Sequence, residues 1–304
     1  MHRNDSKQKL TIESVLSTSA FNRIASLAHR EAGIVLSRSK ESMVKSRLTR
    51  RLRELKIKDF DSYIDYLEQD SSESEMSHFI SALTTNVSHF FREDHHFHTL
   101  RTDIMPRLQA KLELGKSVRI WSAGCSNGQE PYSIAMTLLE FNPNINKHDI
   151  KILATDIDPE VLSCALEGAY SGALTSGLPD SFINKYFEVQ KTDNEELLII
   201  KPGVRDLVSF RKLNLHAKWP MSGSFDVIFC RNVVIYFDDD TQTQLYRRFA
   251  NSLTDCGWLL LGHSERLGDD VSKLFKSVGV TTYQSNITRG EEPSQNTLES
   301  QKWH

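Results

Sequence analysis

Long apolar runs are missing from this chain of 304 residues. A helix that spans a bilayer needs ~18 or more consecutive apolar residues, so the sequence predicts no membrane insertion. The polar N-terminal segment is also not followed by the apolar stretch of a secretory signal. We therefore expect a cytoplasmic protein. The balance of 39% hydrophobic and 25% charged residues is that of an ordinary globular chain.

Cysteine is scarce as well. The four cysteines are Cys125, Cys164, Cys230 and Cys256. They form no CxxC pair, no histidine lies at metal-ligand spacing from them, and their apolar surroundings favour buried, reduced thiols. His95, His96 and His98 are close in sequence, but no cysteine or carboxylate arrangement completes a metal site around them. We therefore expect no metal.

A strong net charge is the third absence. The formal net charge of −3 argues against a general nucleic-acid coat protein, so we expect no nucleic-acid partner. Positive charge is nevertheless concentrated between Arg38 and Lys58, on a predicted helix. The apolar face of this helix consists of Val44, Leu48, Leu52 and Leu55. Arg47, Arg50 and Arg51 fall largely off that face, where they are either solvated or available to an acidic partner.

Two kinds of periodicity divide the chain. Apolar residues recur every three or four positions up to about Val87, which predicts a small all-helical domain. From Val118 onward, short apolar strands alternate with amphipathic helices, which indicates a mostly parallel sheet with helices on its faces. The predicted boundaries are 1–15 for a disordered tail, 16–87 for the helical domain, 88–117 for a linker and interdomain helix, 118–287 for the α/β domain, and 288–304 for a second disordered tail.

Several elements of the α/β domain are predicted individually. The predicted strands are residues 118–123, 150–155, 207–213, 225–230, 258–262 and a segment near 280–284. The alternation is interrupted at about 170–206, where a short helix near 180–187 precedes a hairpin whose second strand is 197–200. We interpret this interruption as an inserted β-subdomain.

The turn after the first predicted strand has the character of a nucleotide-binding turn. Gly124 and Gly128 lie where a strand passes into a helix, and glycine there lets backbone N–H groups approach a ligand. Glu130 at the helix start would repel a phosphate but would attract an ammonium or sulfonium group. The alternative interpretation is a purely structural turn in which Glu130 interacts favourably with the helix dipole.

Two further strand ends carry polar residues. Asp156 follows the second strand, where an acidic residue accepts hydrogen bonds from ribose hydroxyls in doubly wound folds; otherwise it is a turn or cap residue. Arg231, Asn232 and Tyr236 follow the strand 225–230, and ligands bind at the carboxyl ends of such strands. The alternative for Arg231 is a structural ion pair.

Four segments resemble the CheR family of chemotaxis protein-glutamate O-methyltransferases. They are residues 84–93 (TTNVSHFFRE), 124–133 (GCSNGQEPYS), 229–237 (FCRNVVIYF) and 262–265 (GHSE). The resemblance extends in order from about Phe21 to Tyr283. It implies a class I S-adenosylmethionine-dependent methyltransferase fold, which is Rossmann-like, with a helical N-terminal domain and an inserted β-subdomain.

The resemblance also implies roles for individual residues. Asn86, Ser88 and Arg92 would close over the cofactor, Glu130 and Asp156 would bind its methionine and ribose portions, and Asn214 and Leu215 would flank the adenine. Together with Gly124, Arg231 and Asn232, these residues make up the predicted cofactor pocket. Arg92, Arg231 and Tyr236 would stand near the transferred methyl group. Ser88 and Gln129 depart from the family's common Thr and Glu, but neither removes a charge that methyl transfer needs.

The implied function is methyl transfer from S-adenosylmethionine to glutamate carboxylates of chemoreceptors, giving methyl esters and S-adenosylhomocysteine. We expect a monomer that docks on acidic receptor helices through the basic helix at Lys45–Lys58. The hairpin turn between Lys191 and Glu196 lacks the glycines of family members that bind a receptor's C-terminal pentapeptide, which disfavours that contact. The alternatives are an inactive adaptor, a nucleic-acid or small-molecule methyltransferase, and an NAD enzyme, against which Glu130 argues.

Overall fold

A computed structural model describes residues 15–69, 73–191 and 196–287 of the protein. The predicted tails at 1–15 and 288–304 lie outside these ranges, apart from Val15. The centre of the predicted hairpin turn, residues 192–195, also lies outside them, although the flanking Lys191 and Glu196 are paired in register.

Four helices form the N-terminal part of the molecule. They are α1 (Thr18–Ala32), α2 (Glu41–Leu55), α3 (Phe60–Leu67) and α4 (Glu73–Leu83). The Ser17 side chain caps α1 by accepting a hydrogen bond from the Ala20 N–H. The predicted apolar face of α2 is confirmed at Val44, Leu48 and Leu52, which are all fully buried in the core that these helices enclose.

A helical connection leads into the α/β part. It contains α5 (His95–Thr99), a π-helical turn (Leu100–Ile104) and α6 (Met105–Glu113). The strands that follow are β1 (Val118–Ala123), β2 (Ile150–Asp156), β3 (Ala169–Ser171), β4 (Phe187–Lys191), β5 (Glu196–Ile200), β6 (Val208–Lys212), β7 (Phe225–Cys230), β8 (Leu253–Leu261), β9 (Phe275–Gly279) and β10 (Thr282–Ser285). The helices are α7 (Gln129–Phe141), α8 (Pro159–Glu167), α9 (Gly172–Thr175), α10 (Asp180–Tyr186), α11 (Pro202–Arg205), α12 (Asp239–Ser252) and α13 (Asp269–Ser272).

Seven strands form the main sheet in the order β6-β2-β1-β7-β8-β10-β9. The first five strands of this order are mutually parallel, whereas β10 is antiparallel to both of its neighbours. The carboxyl ends of β1, β2 and β7 therefore meet at one edge of the sheet, where a doubly wound fold binds its ligand. A separate antiparallel sheet, β3-β5-β4, is inserted between α8 and β6.

The predicted architecture is confirmed: a mostly parallel α/β sheet, a helical N-terminal part and an inserted β-subdomain. Two strands were not predicted, β3 and β9. Only Phe275 of β9 is buried, so this strand shows no apolar alternation. We keep the domain boundaries as predictions. Among the helices that the structure describes, none has the length and apolarity to cross a bilayer.

The prediction that the cysteines are buried is confirmed for two of them and wrong for the other two. All four cysteines are free, but only Cys125 and Cys230 are buried, whereas Cys164 and Cys256 are exposed. Cys164 lies on the outer side of α8, and Cys256 has a positive φ of 56° within β8. An apolar neighbourhood in sequence therefore did not place these two side chains in the core.

Candidate active site

A cavity of about 510 Å³ opens at the carboxyl edge of β1, β2 and β7. Every predicted site residue lines it: Asn86, Ser88, Arg92, Gly124, Glu130, Asp156, Asn214, Leu215, Arg231, Asn232 and Tyr236. The structure thus brings together residues from five separate stretches of the chain. The volume of the cavity is within the usual range of small-molecule sites.

The turn after β1 approaches the cavity with its backbone. Gly124 has a φ of 86°, and its N–H donates to the Thr155 carbonyl oxygen at 2.8 Å, which joins the ends of β1 and β2. A Cβ at Gly124 would lie 2.3 Å from Cγ2 of Val233. Only glycine allows both this backbone conformation and the contact with the segment after β7.

Glu130 lies in the first turn of α7, which begins directly after this glycine turn. Its Oε1 accepts a hydrogen bond from the Ser122 hydroxyl at 2.6 Å, and its Oε2 is 3.0 Å from Nη1 of Arg231. Burial raises the pKa of Glu130, whereas the charge of Arg231 opposes that shift. The residue therefore takes part in an ion pair in addition to its favourable position at the helix start.

Arg231 is enclosed by acidic and aromatic partners, and its side chain is only 2% exposed. Its Nη2 is 3.2 Å from Oε2 of Glu93 and also donates to the main-chain oxygen of Arg92. Its guanidinium lies 5.6 Å from the ring centroid of Phe97. The contacts are those of a buried ion pair, and two carboxylates surround one cation.

Glu93 is the second of these carboxylates, and the sequence had given it no role. His263 donates to it through its main-chain N–H at 3.2 Å and lies 2.9 Å away through its ring Nδ1. Burial would raise the pKa of Glu93, but the His263 contacts and the Arg231 charge outweigh burial and hold the pKa at about 2. Glu93 therefore keeps its negative charge beneath the cavity.

Glu265 fixes the chain segment that follows β7, another role that the sequence did not reveal. This carboxylate is 3% exposed and accepts hydrogen bonds from four main-chain N–H groups. The donors are Asn232 at 3.0 Å, Val233 at 2.8 Å, Val234 at 2.9 Å and Gly262 at 2.6 Å. Asn232 has a φ of 59°, so the segment turns sharply after Arg231, and Glu265 holds that turn.

Asp156 ends β2 opposite this network. Its two carboxylate oxygens accept main-chain N–H bonds from Ser126 at 2.8 Å and from Asp158 at 3.1 Å, and burial raises its pKa. Asn86 bridges the same region. Its side-chain amide donates to the Asp158 carboxylate at 2.8 Å, and its main-chain carbonyl oxygen accepts from the Ser126 hydroxyl at 3.0 Å. The interdomain segment is thereby anchored to the sheet edge.

The N-terminal helices supply part of the cavity wall. The Asn214 amide donates to the Glu31 carbonyl oxygen at 2.7 Å, and the Val35 N–H donates to the Tyr236 carbonyl oxygen at 2.8 Å. The Tyr236 hydroxyl in turn accepts from the Thr85 N–H at 3.2 Å. Both parts of the chain are therefore needed to enclose the cavity.

Arg92 differs from Arg231 in its surroundings. Its side chain is partly exposed, and Nη1 donates to the Val87 carbonyl oxygen at 3.1 Å. The neighbouring histidines do not resemble metal ligands: His96 is buried against Thr281 at 2.9 Å, and burial together with Arg231 lowers its pKa to about 3. Within the described ranges, no group of three or more His, Cys, Asp or Glu side chains is arranged to hold a metal.

The residues of the cavity fit S-adenosylmethionine. Glu130 and Asp156 line the cavity together with Arg92 and Arg231, so it offers charged partners for both the ammonium and the carboxylate of the cofactor's methionine end. Asp156 stands where a ribose is bound in doubly wound folds, and Ile34, Ile157 and Leu215 add apolar surface suited to an adenine ring. The fold and the site define an S-adenosylmethionine-dependent methyltransferase.

Comparison with known proteins gives the family. Residues 86–284 match the domain described as CheR methyltransferase, SAM binding domain, and residues 19–84 match the CheR methyltransferase, all-alpha domain. The chain is 42% identical over 257 residues to a probable chemotaxis protein methyltransferase of Rhizobium etli, covering 84% of this chain and 96% of that protein. It is 40% identical over 276 residues to a chemotaxis protein methyltransferase of Escherichia coli, covering 90% and 93%. The protein belongs to the CheR methyltransferase family.

Replacing Gly124 by alanine tests the tight contact in the turn. The new Cβ would force Val233 to move, so we expect a loss of about 2–4 kcal/mol from overpacking and backbone strain, together with weaker S-adenosylhomocysteine binding. Gly115→Ala is the matched control, because Gly115 also has a positive φ of 72° but no atom lies within 4 Å of the Cβ position. Chemical denaturation measures the change in stability, and calorimetry measures the change in S-adenosylhomocysteine affinity. Equal losses in the two variants would contradict the steric argument.

Proposed function

We propose that this protein transfers the methyl group of S-adenosylmethionine to glutamate carboxylates of chemoreceptors, giving glutamyl methyl esters and S-adenosylhomocysteine. The observation that carries the proposal is the convergence of the eleven predicted residues on one cavity in a chain of the CheR family. The relatives named above are chemotaxis methyltransferases. Because one chain supplies all of these residues, we further propose that a monomer is active.

The chemistry makes modest demands on the protein. When bound, the cofactor would supply a methyl group on a sulfonium: the acceptor oxygen would bond to the methyl carbon in line as the carbon–sulfur bond breaks, and that bond's electron pair would stay on the sulfur of S-adenosylhomocysteine. A glutamate has a reference pKa near 4.3 and is already ionised at neutral pH, so this chain needs no general base. Its contribution is to hold the acceptor oxygen in line at roughly 3 Å.

The candidate catalytic residues divide by burial. Arg231 is committed to Glu93 and Glu130, so we assign it to positioning Glu130 and the main chain at Arg92, whose oxygen accepts from its guanidinium. Arg92 is partly exposed at the cavity, so we assign it to aiming the acceptor carboxylate. Tyr236, whose hydroxyl accepts from the Thr85 N–H, supports the wall along which the acceptor enters. A cation that is not fully buried orients the carboxylate without quenching its nucleophilicity.

Mass spectrometry of receptor membranes tests the proposal directly. We expect incubation with the protein and S-adenosylmethionine to produce glutamyl methyl esters, which mild base removes. Reactions without the cofactor, and receptors whose modified glutamate is replaced by alanine, serve as controls. Cofactor binding without any ester would favour the inactive adaptor instead. A methylated base or small molecule in the absence of receptor ester would favour the other methyltransferase class.

The basic helix α2 is the proposed contact with acidic receptor helices, but its cations are not equivalent. Arg47 is partly occupied within the chain, because Nη1 donates to the carbonyl oxygen of Thr84 at 2.6 Å. Arg51 is likewise paired with Glu75 at 2.5 Å, and its side chain is 18% exposed. The exposed cations of the segment Lys45–Lys58 are Lys45, Arg50, Arg53, Lys56 and Lys58. Arg50 also pairs with Glu54 at 2.9 Å, but its side chain is 83% exposed. We propose that these five, rather than Arg47 and Arg51, meet the receptor.

Salt and charge reversal test this docking. We expect the apparent KM for receptor to rise as salt approaches ~0.5 M, where exposed charges are strongly screened. Arg53→Glu is expected to raise KM at low salt and to weaken its salt dependence. Lys276→Glu, an exposed lysine on β9, is the control and should leave KM unchanged. A KM for receptor that changes neither with salt nor in Arg53→Glu would exclude α2 as the docking surface.

A further inference from the structure

Two exposed apolar side chains mark the mouth of the cavity. Val87 is 74% exposed and Ile235 is 50% exposed, and both line the cavity. Single exposed apolar residues are common on protein surfaces and mean little by themselves. Among the large apolar residues that are exposed in the described ranges, however, only these two belong to the cavity wall.

Each of them is attached to a residue of the proposed reaction centre. The Arg92 guanidinium donates to the Val87 carbonyl oxygen at 3.1 Å, and Ile235 directly precedes Tyr236. The two segments are themselves joined, because the Thr85 N–H donates to the Tyr236 hydroxyl at 3.2 Å. Val87 and Ile235 therefore belong to two connected edges of the cavity, which we call the apolar rim.

The surroundings of the apolar rim restrict what rests on it. The Lys40 ammonium lies 5.9 Å from the ring centroid of Tyr236, so positive charge begins next to the apolar rim and continues along α2. An acceptor that reaches the cavity with its carboxylate must bring the residues around that carboxylate against Val87 and Ile235. Polar neighbours would lose water there without gaining hydrogen bonds, whereas apolar neighbours gain from burial.

We propose that Val87 and Ile235 determine acceptor specificity by packing against an apolar side chain next to the acceptor glutamate on the partner protein. This inference rests on the proposed function and deepens it. The occupant is a protein surface with an apolar residue beside the modified glutamate and acidic residues farther along, where they face Lys40 and α2. The cations provide long-range attraction, and the apolar rim selects which glutamate enters.

Paired substitutions at one position separate apolar contact from charge. Val87→Asp and Val87→Lys both remove the apolar contact, but the first adds a negative charge and the second a positive charge. The proposal expects KM for the receptor to rise about tenfold in both, since burying a valine contributes an amount comparable to a factor of ten in affinity. Purely electrostatic docking expects Val87→Lys to lower KM and Val87→Asp to raise it. Val87→Ile should retain the wild-type KM.

The matched control uses an apolar residue away from the cavity. Val280 is 68% exposed between β9 and β10 and does not line the cavity, so Val280→Asp and Val280→Lys should leave KM unchanged. S-adenosylhomocysteine affinity, measured by calorimetry in the Val87 and Val280 variants, separates an effect on the cofactor site from an effect on the KM for the receptor. Ile235→Asp and Ile235→Lys should reproduce the Val87 result.

The acceptor provides the complementary measurement. In the receptor fragment that mass spectrometry shows to be methylated, changing the apolar neighbours of the modified glutamate to serine should raise KM for the wild-type enzyme and have less effect on Val87→Lys. An unchanged KM in both Val87→Asp and Val87→Lys, or KM changes of opposite direction in the two, would contradict the proposed role of the apolar rim without contradicting the proposed function. Absence of any wild-type methyl ester would overturn the proposed function itself, and the inference with it.

Discussion

Replacement of Arg231 by alanine is expected to lower the free energy of unfolding by about 3–5 kcal/mol and to reduce methyl transfer roughly 100-fold. The guanidinium is almost completely buried and lies between Glu93 and Glu130, at 3.2 and 3.0 Å. Its removal leaves two buried carboxylates without their shared cation. It also removes the hydrogen bond to the main-chain oxygen of Arg92, a residue of the cavity wall, so stability and turnover should fall together.

Two comparisons make the Arg231 result specific. Arg119→Ala removes a pair with Asp149 in which the arginine is 26% exposed and the aspartate 60%, and such pairs contribute about 1 kcal/mol or less. The double variant Arg231→Ala/Glu93→Gln should recover part of the stability, because it removes one of the uncompensated charges. Denaturant unfolding and labelled-methyl transfer measure the two effects. Wild-type stability in Arg231→Ala would show that the ion pairs contribute nothing.

Arg92→Ala is expected to separate turnover from stability. Its side chain is partly exposed and, among the residues that the structure describes, donates one hydrogen bond, to the Val87 carbonyl oxygen, so the free energy of unfolding should change by about 0.5 kcal/mol or less. Loss of the group that aims the acceptor carboxylate should nevertheless lower kcat roughly 100-fold. Arg92→Lys keeps the charge but loses the planar fork, so its kcat should lie between those of the wild type and Arg92→Ala.

Arg101→Ala is the matched control for Arg92→Ala, because Arg101 is exposed on the same connecting segment and does not line the cavity. It should leave both kcat and S-adenosylhomocysteine affinity unchanged. Measuring affinity separately in Arg92→Ala shows whether the residue also contributes to cofactor binding, as the family resemblance implies. A wild-type kcat in Arg92→Ala would remove it from the reaction centre.

Local pattern was sufficient to predict most of the sheet. The strand 225–230 was predicted at its observed bounds, because four consecutive apolar residues, 227–230, follow Phe225 and Asp226 and end at polar residues. β9 was missed because four of its five residues are exposed, so its pairing with β10 depends on contacts that periodicity does not encode. β3 was missed for a similar reason, since it has three residues and pairs only with β5.

The structure places the predicted site residues at one cavity, but the sequence did not predict the contacts among them. Gly124, Glu130 and Asp156 follow from the chemistry of strand ends, and the structure places all three at one cavity. The partners of Arg231 come from distant parts of the chain, and spacing does not reveal which carboxylate faces which cation. Glu265 was visible in sequence only as a member of a family motif, because its four hydrogen bonds are all to main-chain groups.

The bonds from Asn214 to Glu31 and from Val35 to Tyr236 connect the two structural parts at the rim of one ligand site. Any molecule that binds there contacts both, so its binding energy also holds them together. We therefore expect ligand binding to raise the unfolding temperature of the helical part and of the α/β part together.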